Sequence, residues 1–456
     1  MSLPKKKKRK EKTLLSKEMP STQESSICLG KDQQNAFNKL SQFLKESKQD
    51  FFLLTGYAGT GKSTLCSEVI QAHPTLRFAL CSTTNKAVGV LKDMQAEQKH
   101  PLPCYTIYNL LGLVPFETKG EVSLIKMKAS QLSKIDVVII DECSMIGQEL
   151  WKHIQEIPCE APVKVIFIGD PAQLPPVGEE SSPSFNIPSH AHLSEVLRQS
   201  ADNPIIRLSM NIRKAMELNQ ELEDPTEAIL NNKGVFCIDN EDEWLEMIMQ
   251  NYSQKEAQQN PNECRILTWT NKRVHELNQA VQNKILGCSD TPFHSNQCLI
   301  LTSPVYQSRF NGKRQVLLNT DDIIRVRSVE PASFQEENLW EISGESIEGQ
   351  FVRFFYVPFE EQNAFRQKFN EAKREAGNNS FALKKLNHFE QGLAKAQAPY
   401  AITTHRSQGS TFNTSFIDLP SILSNPNYAE SLRMLYVAVT RSKNKVILYT
   451  GAEQKE

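Results

Sequence analysis

Short apolar runs alternate along this chain with stretches that carry apolar residues on one helical face, and that alternation predicts the architecture. Phe37, Leu40, Phe43 and Leu44 fall on one face of a helix, with Asp32 ahead of them as a candidate cap. The run Phe51–Leu54 then leads into a glycine-rich turn and a second helical pattern. Phe78–Ser82, Lys86–Met94, IDVVII from Ile135 and VKVIFIGD from Val163 continue the series. Apolar runs without polar alternation are strands buried on both faces, so with helices between them they predict a parallel, doubly wound α/β sheet. Between Gly112 and Ser130 the series breaks. Phe116, Val122, Leu124 and Ile125 surround a turn at Lys119-Gly120, the pattern of an inserted hairpin.

A second α/β unit is predicted by strands at Cys264–Thr268 and Lys445–Tyr449 and helices at Asn271–Leu286 and Ser431–Val439. Its middle is interrupted by short β-type runs (Val316–Leu318, Ile323–Val326, Phe351–Val357) and then by a charged helical stretch to residue 397. This predicts an inserted small β-barrel with a helical arm. The expected division is a disordered basic tail at 1–27, a first domain at 28–190 with its hairpin insert at 113–130, a second domain at 191–300 and 398–456, and the barrel and arm at 301–397.

At 456 residues, with 39% hydrophobic and 8% aromatic content, the chain reads as ordinary soluble globular protein of several domains. It has no run of eighteen apolar residues and no apolar stretch behind its basic N-terminus, so neither a membrane span nor a signal peptide is expected, and the protein is expected to be intracellular. Ten cysteines without a C-x-x-C pair, several inside apolar runs (Cys66, Cys81, Cys298), fit reduced buried thiols better than disulfides or zinc ligands. Net charge is −1, yet Lys5–Lys10 (KKKKRK) alone supplies six positive charges and leaves the remainder acidic. Nucleic acid would therefore have to be held in a local groove, since the global field does not attract it. The basic run fits a nuclear localisation signal, a non-specific DNA-binding arm, a solvated segment or an added tag equally.

The strongest chemical signal is Gly56–Ser63, GYAGTGKS, which fits G-x-x-x-x-G-K-[ST] between a buried strand and a helix. Glycines at such a turn let backbone N–H groups close around phosphate oxygens, and the helix N-terminus adds partial positive charge. Lys62 would reach the β- and γ-phosphates and Ser63 would hold Mg²⁺. A second apolar run, Val137–Ile140, ends in Asp141-Glu142 about eighty residues later. There Asp141 would bind Mg²⁺ through water and Glu142 would act as general base on the attacking water. A third run ends in Gly169-Asp170-Pro171-Ala172-Gln173, where Gln173 can hydrogen-bond the γ-phosphate or the water.

DECSM (141–145), GDPAQLPPV (169–177), LSEVLRQ (193–199), TTHRSQGSTF (403–412) and YVAVTRSK (436–443), in this order, resemble the motifs of the superfamily 1 helicases, RecD-like branch. The resemblance spans nearly everything from Leu29 to Tyr449. It implies two RecA-like domains with ATP between them and single-stranded DNA across their top, moved 5′ to 3′. Position by position it implies that Gln33 contacts adenine and that Gly56, Gly59, Thr60, Gly61, Lys62, Ser63, Thr64 and Gly409 contact the nucleotide. It assigns Asp141, Glu142 and Gln173 to hydrolysis, and Arg198 and Arg441 of the second domain to the γ-phosphate, where an Arg from across a cleft stabilises transition-state charge. DNA contacts are implied for Thr83, Asn85, Lys86, Thr106, Asn271, Thr404, His405, Ser407 and Gln408. The chain departs from the usual pattern at Cys143, where Val is common, at Thr83-Thr84 in place of Pro-Thr, and at Arg406 in place of Lys.

Within the hairpin, Phe116 and Leu124 flank the turn, and Leu124 stands at the position of the family's duplex-splitting pin. The alternative is that both pack inward as hairpin core. The expected function is thus an ATP- and Mg²⁺-dependent DNA helicase acting on single-stranded DNA and a duplex fork, with replication or recombination proteins as potential partners, no membrane, and a monomer allowed. The competing reading is an ATP-driven single-strand translocase or clamp that serves a recombination or repair complex without unwinding on its own.

Overall fold

The computed structural model describes residues 29–451 except 47, 97, 99, 119–120, 197–201, 255–259, 261, 309–313 and 335–336. The basic tail, Arg198 and the hairpin turn Lys119-Gly120 lie outside the described residues. In the first domain the strands Cys104–Thr106, Phe78–Ser82, Val137–Ile140, Lys164–Gly169, Phe51–Gly56 and His190–Leu193 form, in that order, one wholly parallel sheet. Its central strands are buried on both faces, as their uninterrupted apolar runs require. One face packs against the helix Lys31–Glu46 through Leu40 and Phe43, and the other against Leu110, Leu150 and Ile154. Because all six strands run the same way, their C-terminal ends share one edge, and Gly56, Thr83, Asp141 and Asp170 are delivered there together.

The strand His190–Leu193 moves the expected domain boundary. It pairs with the P-loop strand, Leu53 opposite His190 and Gly56 opposite Leu193, so the first domain runs on to Leu193. Its burial alternates exposed, buried, exposed, buried, the signature of an edge strand, which a search for two-faced apolar runs passes over.

The second domain repeats the scheme with Ala401–Thr403, Cys264–Thr268, Phe412–Asp418, Ser442–Tyr449 and Lys233–Ile238 parallel, and Ala228–Leu230 antiparallel at the edge. Trp244, fully buried on the helix Glu241–Tyr252, stacks on Tyr449 and meets Phe416 edge-on. Between the strands at 264–268 and 401–403 comes the insert. The strands Phe351–Tyr356, Glu337–Ser346, Ile323–Phe334, Cys298–Leu301 and Ala396–Gln397 form an antiparallel sheet. A bridge between Phe355 and Leu393, with the Ala394 amide donating to the Phe355 carbonyl at 2.9 Å, draws its two edges together into a barrel. The arm, helices Gln362–Ala376 and Ser380–Gly392, folds back on the barrel through Phe334, Phe365, Phe369 and Phe389. In the first domain the strands Leu113–Thr118 and Glu121–Lys126 form the hairpin. Among the described residues no helix is long and apolar enough to cross a membrane.

The two domains share core. Ala172 and Leu174, on the loop that leaves the strand Lys164–Gly169, are buried in the apolar cluster of the second domain with Ile402, Phe412, Leu435 and Val439. Leu174→Ala should therefore cost about 2–5 kcal/mol and loosen the domains from each other. Calorimetry is expected to resolve two unfolding transitions in the variant. A single transition at the wild-type temperature would show that the shared cluster does not join the domains.

Candidate active site

The P-loop takes its shape from two glycines. Gly59 and Gly61 both have φ of +79°, a left-handed conformation that side-chain-bearing residues rarely adopt, and Gly61 is the N-cap of the helix Lys62–Ala72. Gly56 is fixed by crowding instead, since a Cβ there would lie 2.7 Å from the Thr60 hydroxyl and 3.0 Å from the Leu193 Cβ. The Lys62 ammonium lies within the loop and donates to the carbonyls of Gly56 (2.6 Å) and Tyr57 (3.0 Å). Gln33, buried, donates its amide to the Thr60 carbonyl (3.2 Å) and accepts from the Gly30 amide (3.0 Å), so it supports the loop from behind. Ser63 is exposed and Thr64 half-buried in the first turn of the helix.

The carboxylates stand beside the loop. The Glu142 amide donates to Asp141 Oδ1 at 2.9 Å, and burial together with the neighbouring Glu142 charge pushes the Asp141 carboxyl up to about 6, against the pull of Lys62 and Arg441. A group so poised gains from a nearby cation. Glu142 has a left-handed φ of 54°, a strained conformation for a residue with a side chain and one that collects at functional sites. Gln173 is buried, and its Oε1 has no partner among the described residues; nor has Arg441 Nε. Buried polar atoms are seldom left unpaired. An inward-facing loop at a helix N-terminus, a lysine inside it, and carboxylates, an amide and a guanidinium around it fit a nucleoside triphosphate, with Ser63 and Asp141 the residues that would hold Mg²⁺.

The second domain completes the cluster. Arg441, at the C-cap of the helix Tyr428–Thr440, places Nη1 3.3 Å from Glu142 Oε1. Sequence reasoning missed three partners. Tyr436 accepts from the Ala58 amide of the P-loop (3.1 Å) and donates to Asp170 Oδ2 (2.6 Å). Arg433 donates to the carbonyls of Pro171 (2.9 Å) and Gln173 (3.1 Å). Arg213, on the helix Pro204–Leu218, covers the ring of Tyr57 at 3.8 Å, and the Tyr57 hydroxyl donates to Glu217 at 3.2 Å. The signal for Tyr436 and Arg433 was present, since they stand three apart and share a helix face that ends at Arg441.

The residues expected to meet DNA divide into two groups. Asn85 is exposed at the start of the helix Asn85–Ala96, with Lys86 and His405 half-buried nearby in the sequence motifs. Asn271 opens the helix Asn271–Leu286 and, with Arg406, lines a groove of about 740 Å³ between that helix and the barrel. The others are spent internally. Thr106 caps a short helix by accepting from the Asn109 amide, and the Thr83 hydroxyl turns to Met145. Thr404 and Ser407 are fully buried, donating to the carbonyls of Thr268 and Thr404, and Gln408 donates to the Leu174 carbonyl at 3.2 Å. These residues set the shape of the surface from below it. Gly409, expected at the nucleotide, instead lies against the first-domain helix: its φ is +72°, and a Cβ there would come 2.8 Å from Ala87 Cβ. Leu124 is half-buried against the first domain's core and its amide donates to Glu149, whereas Val114 and Ile125, directly opposite each other, form an exposed apolar pair on the hairpin.

Residues 28–227 match the model of an AAA domain, and residues 399–449 that of a UvrD-like helicase C-terminal domain. The chain is 24% identical to the ATP-dependent DNA helicase dda of Enterobacteria phage T4, over 92% of this chain and 98% of that one. It is 24% identical to the ATP-dependent DNA helicase Pif1 of Campylobacter jejuni, over 90% and 89%. Among solved structures, Bacteroides Pif1 bound to single-stranded DNA aligns over 93% of this chain and 92% of that one, at 17% identity and a TM-score of 0.42. Matches to both motif-bearing domains, and to helicases over nearly the whole length, place the chain in the Pif1/RecD-like family of superfamily 1 helicases.

Proposed function

We propose that this helicase hydrolyses Mg-ATP between its two domains to move 5′ to 3′ along single-stranded DNA and to split the duplex ahead of it. The observation that carries the reading is Arg441 of the second domain, 3.3 Å from Glu142 of the first and beside the P-loop. In this scheme Lys62 and the loop amides hold the phosphates, Glu142 takes a proton from water, Gln173 orients it, and Arg441 stabilises charge as the γ-phosphoryl leaves. Bound Mg²⁺ would neutralise phosphate charge, with Ser63 and Asp141 as its protein partners. Arg198 is proposed for a second guanidinium on the resemblance alone. DNA as the nucleic acid is supported by the two relatives, which are named DNA helicases and match this chain nearly end to end.

Hydrolysis divided between two domains should respond to a strand that lies across both. ATPase activity is expected to rise by orders of magnitude with single-stranded DNA, and Lys62→Ala, Glu142→Gln or Arg441→Ala should each abolish the rise. A high basal rate that DNA leaves unchanged would refute the scheme.

Polarity is read from strand displacement. Duplexes with a 5′ single-stranded tail should be unwound and those with only a 3′ tail should not; the reverse preference would assign the opposite direction of travel.

The hairpin is proposed as the splitting device. Opening a base pair gives up roughly 1.4 kcal/mol of stacking per step, and an apolar side chain under the terminal pair can offset it at about 1–3 kcal/mol per base. Phe116 is proposed from the sequence, and Val114 and Ile125 from their exposure. Phe116→Ala and Ile125→Ser should lower strand displacement while leaving DNA-stimulated ATPase near normal. Leu124→Ala, which removes a contact with the core, should lower thermal stability as well. Equal loss of ATPase and displacement in the first two variants would assign the hairpin a structural role.

A further inference from the structure

The mechanism above leaves the buried Tyr436 unused. Tyr436, 1% exposed, sends its hydroxyl out of the second domain and into the first, where it joins two loops that chemistry requires to act together. It accepts from the amide of Ala58, the third residue of the P-loop, and donates to Asp170, itself 2% exposed. Asp170 in turn accepts from the Ala172 amide through Oδ1 at 2.9 Å, which shapes the turn that carries Gln173. One turn earlier on the same helix, Arg433 holds the Pro171 and Gln173 carbonyls of that turn, and five residues later Arg441 reaches Glu142. A single helix therefore touches the P-loop, the Gln173 loop and the general base.

We propose that Tyr436 is a positioning residue that couples phosphate contact at the P-loop to the placement of Gln173 and Arg441. The coupling runs through its hydroxyl, which cannot shift from Ala58 without also shifting on Asp170. The ring adds packing in the shared cluster, and the hydroxyl adds direction. Two features give the coupling strength. The bond to Asp170 is charge-assisted and lies away from water, and both ends are backbone-linked to residues that face the nucleotide. Tyr436 touches neither Gln33 nor the first turn of the P-loop helix, so nucleotide affinity should depend on it less than turnover does. This proposal rests on the ATP-hydrolysing reading of the site.

The test is Tyr436→Phe in the full chain, which keeps the ring and removes one oxygen. With saturating single-stranded oligo(dT), kcat for ATP is expected to fall about tenfold or more, while KM stays within about twofold. Asp170→Asn, which weakens the same bond from the other end, should lower kcat in the same way, and the double variant should be no worse than the poorer single one. Wild-type kcat in Tyr436→Phe would overturn the proposal, as would independent, multiplying losses in the double variant. So would a loss of nucleotide binding and thermal midpoint in step with kcat. Should Tyr436→Phe fail to fold, Asp170→Asn alone decides by the same split between kcat and KM. A wild-type protein that oligo(dT) does not stimulate would defeat the helicase reading itself, whereas a stimulated wild type with an equally stimulated variant defeats only the coupling.

Discussion

Arg441 and Glu142 meet at 3.3 Å from opposite domains, with 9% and 16% of their side chains exposed. Two charges withdrawn that far from water are costly to separate, since either one alone would be buried without compensation. The pair therefore does more than add attraction: it ties the end of the helix Tyr428–Thr440 to the first domain, and Tyr436 and Arg433 of the same helix add further bonds across the cleft. Glu142 is held in a strained left-handed backbone at the end of a buried strand, which aims its carboxylate out of the sheet toward the partner domain. The same arrangement suits the chemistry. A γ-phosphate offers Arg441 a stronger anion than a single carboxylate, and an Arg drawn to it would release Glu142 to act as base.

The P-loop is gripped in a comparable way from several sides. Gln33 supports Thr60 from the N-terminal helix, Tyr436 holds Ala58, and Arg213 covers Tyr57 from the helix Pro204–Leu218. Tyr57 and Ala58 thus belong mechanically to both domains, whereas Thr60 is held from within the first. In the proposed scheme the glycines and the helix N-terminus would meet phosphate, while the Tyr57–Ala58 lip is the part of the loop that touches the second domain.

Much of the site was legible in the sequence because phosphate chemistry ties residue types to short spacings: Gly59, Gly61 and Lys62 in one loop, Asp141 and Glu142 at one strand end, Gln173 at another. The parallel strands were legible where both faces are buried, and not at His190–Leu193, which alternates. Tyr436 and Asp170 escaped for a different reason. Both stand inside the quoted motifs, but nothing within either motif shows that they meet, and the bond between them spans 266 positions. The opposite error fell on Thr404, Ser407 and Gln408. They occupy motif positions implied to contact DNA, yet their side-chain donors are taken up by carbonyls of Thr268, Thr404 and Leu174. Resemblance locates a surface without telling which of its residues face out.

Lys86, another of the motif residues, lies where the two domains meet. Its ammonium lies 5.1 Å over the ring of Phe412 in the second domain, and Arg265 lies 5.3 Å from the same ring. Burial first, then the like charge of Arg265, holds the Lys86 ammonium down to about 7, with Arg406 and Arg441 adding to the effect and Asp321 opposing it. A lysine depressed in the folded state lowers stability fully below its folded value and progressively less as pH rises toward its ordinary one, so at neutral pH much of the penalty stands. Asp321 cannot relieve it alone, because it is already paired with Arg406. An anion arriving beside Lys86 would remove the penalty, and a phosphate of a bound strand is such an anion. Lys86 belongs to the first domain and the ring beneath it to the second, so a phosphate held there would lie at the junction of the two domains.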